Sequence, residues 1–175
     1  GTGIAVSNFH HQPGLESEFA FTLVMTIRPG GAVMNGKAAR EVVSTVHPAI
    51  ELVCSRLDSN FQVDPALLVA DGALHAALVV RPGTDPDDVE NLRTHQLRTL
   101  VNNEEIATGT GNEILGDPFE SLAWLCNHLN RRSLTLHEGS IVTTGAATGL
   151  HLTNANQLLT TDGGNLGSVS LNLMG

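Results

Sequence analysis

Short apolar runs recur along this chain, and turn-forming segments such as Arg28-Pro29-Gly30-Gly31, Asn102-Asn103 and Asp162-Gly163-Gly164-Asn165 separate several of them. Runs of roughly four to eight residues rich in valine, isoleucine and threonine are typical of β-strands. We predict strands over residues 18–27, 49–57, 96–101, 105–109, 141–144, 157–161 and 168–173. Residues 67–80, with two apolar stretches around Asp71-Gly72, are predicted to form a strand, a bend and a second strand. The sequence therefore predicts a mixed α+β fold that is mainly β.

One segment shows a clear helical period. Asp117 suits the N-cap, Pro118 the first helical position, and Glu120 the position that can complete a capping box. An apolar stripe follows at helical spacing, formed by Leu122, Leu125, Cys126 and Leu129. We predict a helix over residues 118–131, packed outside the β-structure.

Two further local patterns complete the expected secondary structure. Residues 37–46 have a short helical pattern that we expect to end before His47-Pro48, because the residue before a proline avoids helical backbone angles. Asn102-Asn103 separates two predicted strands, and asparagine tolerates the left-handed angles of a tight turn. We therefore expect a β-hairpin here, and one or two outer helices in total.

Composition sets the class of protein. With 175 residues, 41% of them hydrophobic and 15% charged, the chain has the composition of one globular domain, which we expect to span residues 1–175. A net charge of −9 argues against a nucleic-acid partner, which requires a basic face. No apolar run approaches the roughly 20 residues that span a bilayer, so no membrane partner is expected. Cys54 and Cys126 are isolated thiols, which favours a cytoplasmic location.

Glu16 and Glu18 are the first candidates for a functional site. They flank Ser17 at the start of the first predicted strand, so both carboxylates project from the same face. Two carboxylates so close repel each other, and a shared cation relieves that repulsion. From this spacing alone, a solvated sheet edge is the favoured interpretation and a cation site the alternative.

Glu51 strengthens the case for a cation. It lies between Ile50 and Leu52 in an apolar strand and should face the opposite side from both. A carboxylate in such a strand is costly unless it is paired or bound to a metal. Three carboxylates would suit Mg²⁺ or Mn²⁺, which prefer oxygen ligands. The spacing alone does not bring Glu51 to Glu16 and Glu18.

Other site types are poorly supported. His10 and His11 could act as acid or base because they precede the glutamate pair, but a surface role is favoured, and at most one can point inward. The remaining histidines lack the His-Glu-x-x-His spacing of zinc proteases, and no Gly-x-Ser-x-Gly elbow occurs. Gly109-Thr110-Gly111 lacks the third glycine of a dinucleotide-binding loop, since Ile114 occupies that position.

Several segments, in a consistent order from residue 12 onward, resemble the fumarylacetoacetate hydrolase superfamily, in particular its 2-hydroxypenta-2,4-dienoate hydratases and 4-oxalocrotonate decarboxylases. The matching segments are QPGLESEFAF (residues 12–21), HPAIELVCSRL (47–57), NNEE (102–105), GTG (109–111), LGDP (115–118), LAWL (122–125) and GSIVTTGA (139–146). Each motif is weak alone, whereas the ordered set is specific.

This resemblance implies a β roll of the fumarylacetoacetate hydrolase type. It implies that Glu16, Glu18 and Glu51 bind Mg²⁺ or Mn²⁺. It also assigns Asp71, Thr144 and Gly145 to the binding of a small 2-oxo acid substrate, as in aromatic catabolism. The implied reaction is hydration or decarboxylation through an enolate, and the expected assembly is a homo-oligomer or a complex with a related subunit.

The sequence departs from the family pattern in two places. Family hydratases carry an N-terminal region with a catalytic lysine, which we expect to be absent here, because Lys37, the only lysine, matches no catalytic position. The family's Asp-Asn-Ala-Ser segment corresponds to residues 71–74, Asp-Gly-Ala-Leu. These departures favour an alternative function, a catalytically impaired member that serves as a partner subunit or binding module.

Overall fold

The computed structural model describes residues 2–57 and 64–175 of the chain. The strands in the described residues are β1 (Thr2–Ala5), β2 (Gly14–Leu23), β3 (Val43–Val53), β4 (His75–Val80), β5 (Gln96–Val101), β6 (Glu104–Thr110), β7 (Ile141–Leu152), β8 (Gln157–Asp162) and β9 (Ser168–Met174). The α-helices are α1 (Gly36–Glu41), α2 (Pro65–Ala70) and α3 (Pro118–Arg131). The mainly β, mixed α+β prediction is confirmed.

The strands form two sheets. One has the order β1-β9-β8-β5-β6, and the other has the order β4-β3-β2-β7. In the second sheet every neighbouring pair is antiparallel, and the consecutive strands β2 and β3 lie at its centre. No helix in the described part of the chain is both long and apolar enough to cross a membrane.

Side chains alternate between two faces along β2. Leu15, Phe19 and Phe21 are fully buried and face the hydrophobic core. Ser17 faces the same side, and its Oγ lies 2.7 Å from the hydroxyls of both Thr99 and Thr161 in the other sheet. The even-numbered residues of β2, which include both glutamates, therefore project from the opposite face.

Helix α3 confirms the clearest local prediction. Asp117 caps it by accepting a hydrogen bond from Phe119 N, and the helix runs to Arg131 as expected. Leu122 and Cys126 pack into the core beside β2. The predicted capping box is wrong, because the Glu120 carboxylate accepts a hydrogen bond from Gly36 N (3.0 Å) and so ties α3 to α1.

Two predictions of secondary structure are wrong in part. The helix expected over residues 37–46 ends at Glu41, and strand β3 already begins at Val43, because the β-branched residues there pair with β2. The first strand expected over residues 67–80 is instead α2, which Asp64 caps through Ala66 N. The second expected strand there is β4.

The hairpin prediction is confirmed. Strands β5 and β6 pair in antiparallel fashion around Asn102 and Asn103, whose φ angles are 53° and 67°. Positive φ at both central residues is what a two-residue hairpin turn requires.

Candidate metal centre

The three glutamates meet on the outer face of the four-stranded sheet. Glu16 and Glu51 are direct Cα partners in the β2–β3 ladder, and Glu18 is paired with Ala49, one step along the same face. Ile50 and Leu52 lie in the core on the other face, as expected. The antiparallel register thus brings Glu51 to Glu16 and Glu18, which the spacing in the sequence alone did not predict.

One carboxylate oxygen from each glutamate lies within 4.8 Å of the other two. Glu18 is buried, with 1% of its surface exposed, whereas Glu16 and Glu51 are half-buried. Like charges this close in a partly dehydrated place are unfavourable without a cation. An all-oxygen donor set of three carboxylates fits a hard divalent ion such as Mg²⁺, Mn²⁺ or Ca²⁺.

The crowding changes the acidity of the carboxyl groups. Burial raises the pKa of Glu18 to about 9, with further upward contributions from the charge of Glu51, a hydrogen bond to it and the charge of Glu16. Burial also raises the pKa of Glu16, and the charge of Glu51 adds to that increase. In the absence of a cation, the cluster therefore retains a proton on Glu18 at neutral pH.

Among the described residues, Gly145 is the one that lowers the pKa of Glu18. Its backbone N–H donates a hydrogen bond to Glu18 Oε2 at 2.8 Å. Gly145 has a φ of 98° and lies where the β2–β7 register shifts, so a bulge in β7 turns this N–H towards the carboxylate. Thr144 is buried and donates its hydroxyl hydrogen to Phe19 O (3.0 Å).

His75 also borders the cluster, and the sequence predictions missed it. Its Nδ1 lies 2.6 Å from Glu51 Oε1. The sequence predicts the strand that contains His75, but not the bulge that pairs His75 with Val53 and brings it to the carboxylate face. A histidine at the first position of an apolar strand was the available signal.

The other candidate residues are outside the carboxylate cluster. Asp71 follows α2, and its Oδ2 is 3.2 Å from Arg56 Nη1. His10 lines a separate cavity of about 300 Å³ together with Cys54 and Arg56. His11 is exposed, and the group of clustered metal-binding donors in the described residues includes neither histidine.

Comparisons with known proteins point in the same direction. The family model described as "Fumarylacetoacetate (FAA) hydrolase C-terminal" matches residues 1–171. A 4-oxalocrotonate decarboxylase of Pseudomonas putida is 31% identical over 164 residues, which is 90% of this chain and 59% of that protein. A 2-hydroxyhexa-2,4-dienoate hydratase of Comamonas testosteroni is 29% identical over 137 residues, 77% of this chain and 50% of that protein.

A solved structure agrees with the fold. The 4-oxalocrotonate decarboxylase from Pseudomonas putida G7, complexed with magnesium and adipate, superposes with a TM-score of 0.91 at 26% identity. The match covers 99% of this chain and 65% of that one. The chain thus spans half to about two-thirds of the length of these relatives.

Proposed function

Because the chain belongs to the fumarylacetoacetate hydrolase family, we propose that it binds one divalent cation through Glu16, Glu18 and Glu51. We further propose that it acts on a short 2-oxo or 2-hydroxydienoic acid as a hydratase or decarboxylase. The observation that carries the proposal is the convergence of three carboxylates on one face of β2 and β3. Mg²⁺ and Mn²⁺ are the proposed ions, since both prefer oxygen donors and keep coordination positions that a substrate can occupy.

When bound, such an ion supplies positive charge that offsets the negative charge developing on the 2-oxo oxygen of the substrate. The protein holds the donors for it. Gly145 N–H fixes one oxygen of Glu18, and the β2–β3 ladder fixes the spacing of Glu16 and Glu51. Thr144 stabilises this arrangement, because its hydroxyl donates a hydrogen bond from β7 to the backbone carbonyl of Phe19 in β2.

The relatives favour a reaction of the lyase type. They include a hydratase and a decarboxylase, and the decarboxylase structure that superposes on this chain contains magnesium. Hydration and decarboxylation of 2-oxo acids both place charge on the same oxygen, so one cation site serves either reaction. We extend this proposal to Asp71, Thr144 and Gly145 as residues that bind the acid, and to an oligomeric assembly.

A two-part experiment tests the proposal. Protein dialysed against a chelator is titrated with Mg²⁺ and Mn²⁺ by calorimetry, and is then assayed with and without metal. Loss of absorbance from 2-hydroxypenta-2,4-dienoate reports hydration, and release of CO₂ from 4-oxalocrotonate reports decarboxylation. We expect saturable binding of one ion and turnover of one substrate that depends on it. Absence of ion binding would contradict the whole proposal.

A second function is favoured by one observation. Asp71 of the segment 71–74 is turned onto Arg56, whose Nη1 also donates to Asp71 O at 2.8 Å. An aspartate held in this way supports the alternative of a family member that binds the ion but serves as a partner subunit. Ion binding without turnover of either substrate, by the chain alone, is the result that favours this alternative.

A further inference from the structure

The bulge between β3 and β4 places His75 on the carboxylate face. Glu51 is paired with Leu78 and Leu52 with Ala77, but Val53 is paired with His75, so one residue of β4 is skipped. Val53 lies two residues from Glu51 and shares its face, and a cross-strand partner shares that face too. Without the bulge, His75 would not be paired with Val53 and would lie on the other side of the sheet.

The imidazole then contacts one glutamate of the three. Its Nδ1 lies 2.6 Å from Glu51 Oε1, and among the described residues this is the only ion pair of His75. A carboxylate oxygen accepts, so Nδ1 carries the hydrogen. His75 is outside the group of donors that approach one another within 4.8 Å, so it is placed to orient a ligand and not to serve as one.

The backbone around His75 is fixed. Its carbonyl accepts a hydrogen bond from Arg56 Nη2 (2.7 Å), and its N–H donates to Gly72 O (3.2 Å). The neighbouring Leu74 accepts from Cys54 N through its carbonyl at 2.8 Å. These contacts fix the backbone position of His75, and the exposed imidazole is held by its hydrogen bond to Glu51.

We propose that His75 is a positioning residue of the cation site. Its Nδ1–H holds Glu51 Oε1 and so restricts rotation of the carboxylate group, which supplies one donor oxygen to the cluster with Glu16 and Glu18. A hydrogen bond from outside the coordination sphere orients a ligand and commonly contributes a factor of about 10 to 100 in metal affinity. This inference rests on the proposed function, because it requires that the cluster binds an ion.

The test compares two substitutions of His75. His75→Ala removes the donor, whereas His75→Asn keeps an N–H near the position of Nδ1. The 175-residue proteins are treated with a chelator and then titrated with Mn²⁺ by calorimetry. We expect His75→Ala to weaken binding on the order of 10- to 100-fold and His75→Asn to bind nearly as the unmodified protein does. Thermal unfolding without metal verifies that each variant is folded.

His137 offers a matched control, since it is an exposed histidine outside the cluster. His137→Ala should bind Mn²⁺ like the unmodified protein. Unchanged or tighter binding by His75→Ala would overturn the positioning role, as would an equal loss in His75→Asn. If the unmodified protein itself binds no Mn²⁺, the proposed function fails, and the inference fails with it. The two failures are therefore distinguishable.

Discussion

Glu16 and Glu51 face each other directly across the ladder between β2 and β3, as Cα partners on the face of the sheet opposite Ile50 and Leu52. A directly opposed pair of like charges destabilises an antiparallel sheet. Here Glu18 approaches the same pair from the next position of β2, which increases the repulsion. The arrangement is favourable only when a cation or a proton offsets part of the charge.

Glu51→Gln should separate the effect of this charge on the stability of the metal-free protein from its effect on metal affinity. The change removes one negative charge at nearly constant volume, so the metal-free protein should be as stable as before or more stable. Mg²⁺ and Mn²⁺ affinity should fall by more than the roughly 10- to 100-fold typical of losing an outer-shell partner. Calorimetric titration and urea unfolding measure the two effects. Glu104→Gln, at an exposed site on β6, is the matched control, and equal affinities for both variants would contradict the metal site.

The stability of the metal-free protein should depend on pH through Glu18. Its pKa in the folded protein is about 9, against an ordinary value of 4.5, chiefly because the group is buried. A group with a raised pKa contributes stability that is fully present below its unfolded pKa and is lost as pH rises through its folded pKa. Urea unfolding in the presence of a chelator should therefore show a decline from about pH 4.5 to about pH 9. Glu18→Gln should flatten this decline. An unchanged dependence of the free energy of unfolding on pH in this variant would contradict the role of Glu18.

Cation binding should release the same proton. At neutral pH Glu18 retains its proton in the metal-free protein and must lose it to act as a ligand. Apparent Mn²⁺ affinity should therefore rise with pH between 6 and about 9. Calorimetry at pH 7 in buffers of different ionisation enthalpy counts the protons, and we expect close to one per ion. A heat of binding that is independent of the buffer would contradict this coupling.

Gly145→Ala should weaken both folding and ion binding. No atom lies within 4 Å of an added Cβ, so the cost comes from a φ of 98° that alanine tolerates poorly, about 1–3 kcal/mol. Relaxation of that strain should also move the N–H away from Glu18. Gly149→Ala carries similar strain in the same strand, at a φ of 80°. If both variants lose stability but only Gly145→Ala loses Mn²⁺ affinity, the bulge serves the site.

Ser17→Ala should destabilise the fold and leave the ion site intact. The Ser17 hydroxyl lies 2.7 Å from those of Thr99 and Thr161, and removing it leaves buried polar groups with fewer partners. We expect a loss of about 1–3 kcal/mol in urea unfolding, with Mn²⁺ affinity unchanged in calorimetry. Ser170→Ala, which removes one exposed contact with Thr160, should cost much less. A comparable loss in both variants would contradict the role of Ser17.

Local signals in the sequence predicted much of this fold. The cap at Asp117 and the turn at Asn102 depend on contacts within a few residues, and the structure has both. Of the stripe predicted on α3, Leu122 and Cys126 are in the core, whereas Leu125 and Leu129 are only half-buried. The missed helix α2 carries the same Asp-Pro signal, at Asp64-Pro65, but it spans only six residues, and its apolar residues suggested a strand. Strand β3 begins early because β2 pairs with it, a tertiary effect that local propensity does not contain.

The candidate site was predictable in its residues but not in its geometry. Alternation predicted Glu16 and Glu18 on one face, but only the register between β2 and β3 brings Glu51 to them. The role of Gly145 depends on a bulge in β7, and the contact of His75 depends on a second bulge in β4. Bulges re-aim side chains by one residue, which a strictly alternating pattern cannot anticipate.

The back-to-back placement of Ser17 against Glu16 and Glu18 has a consequence for how such a protein can evolve. Residues that anchor the two sheets and residues that present donor atoms alternate along a single strand. Selection for stability acts on one set, and selection for a different ion acts on the other. A histidine in place of one glutamate would shift the donor set towards softer metals without a change in core packing. Ion preference can therefore diverge between relatives whose folds stay nearly the same.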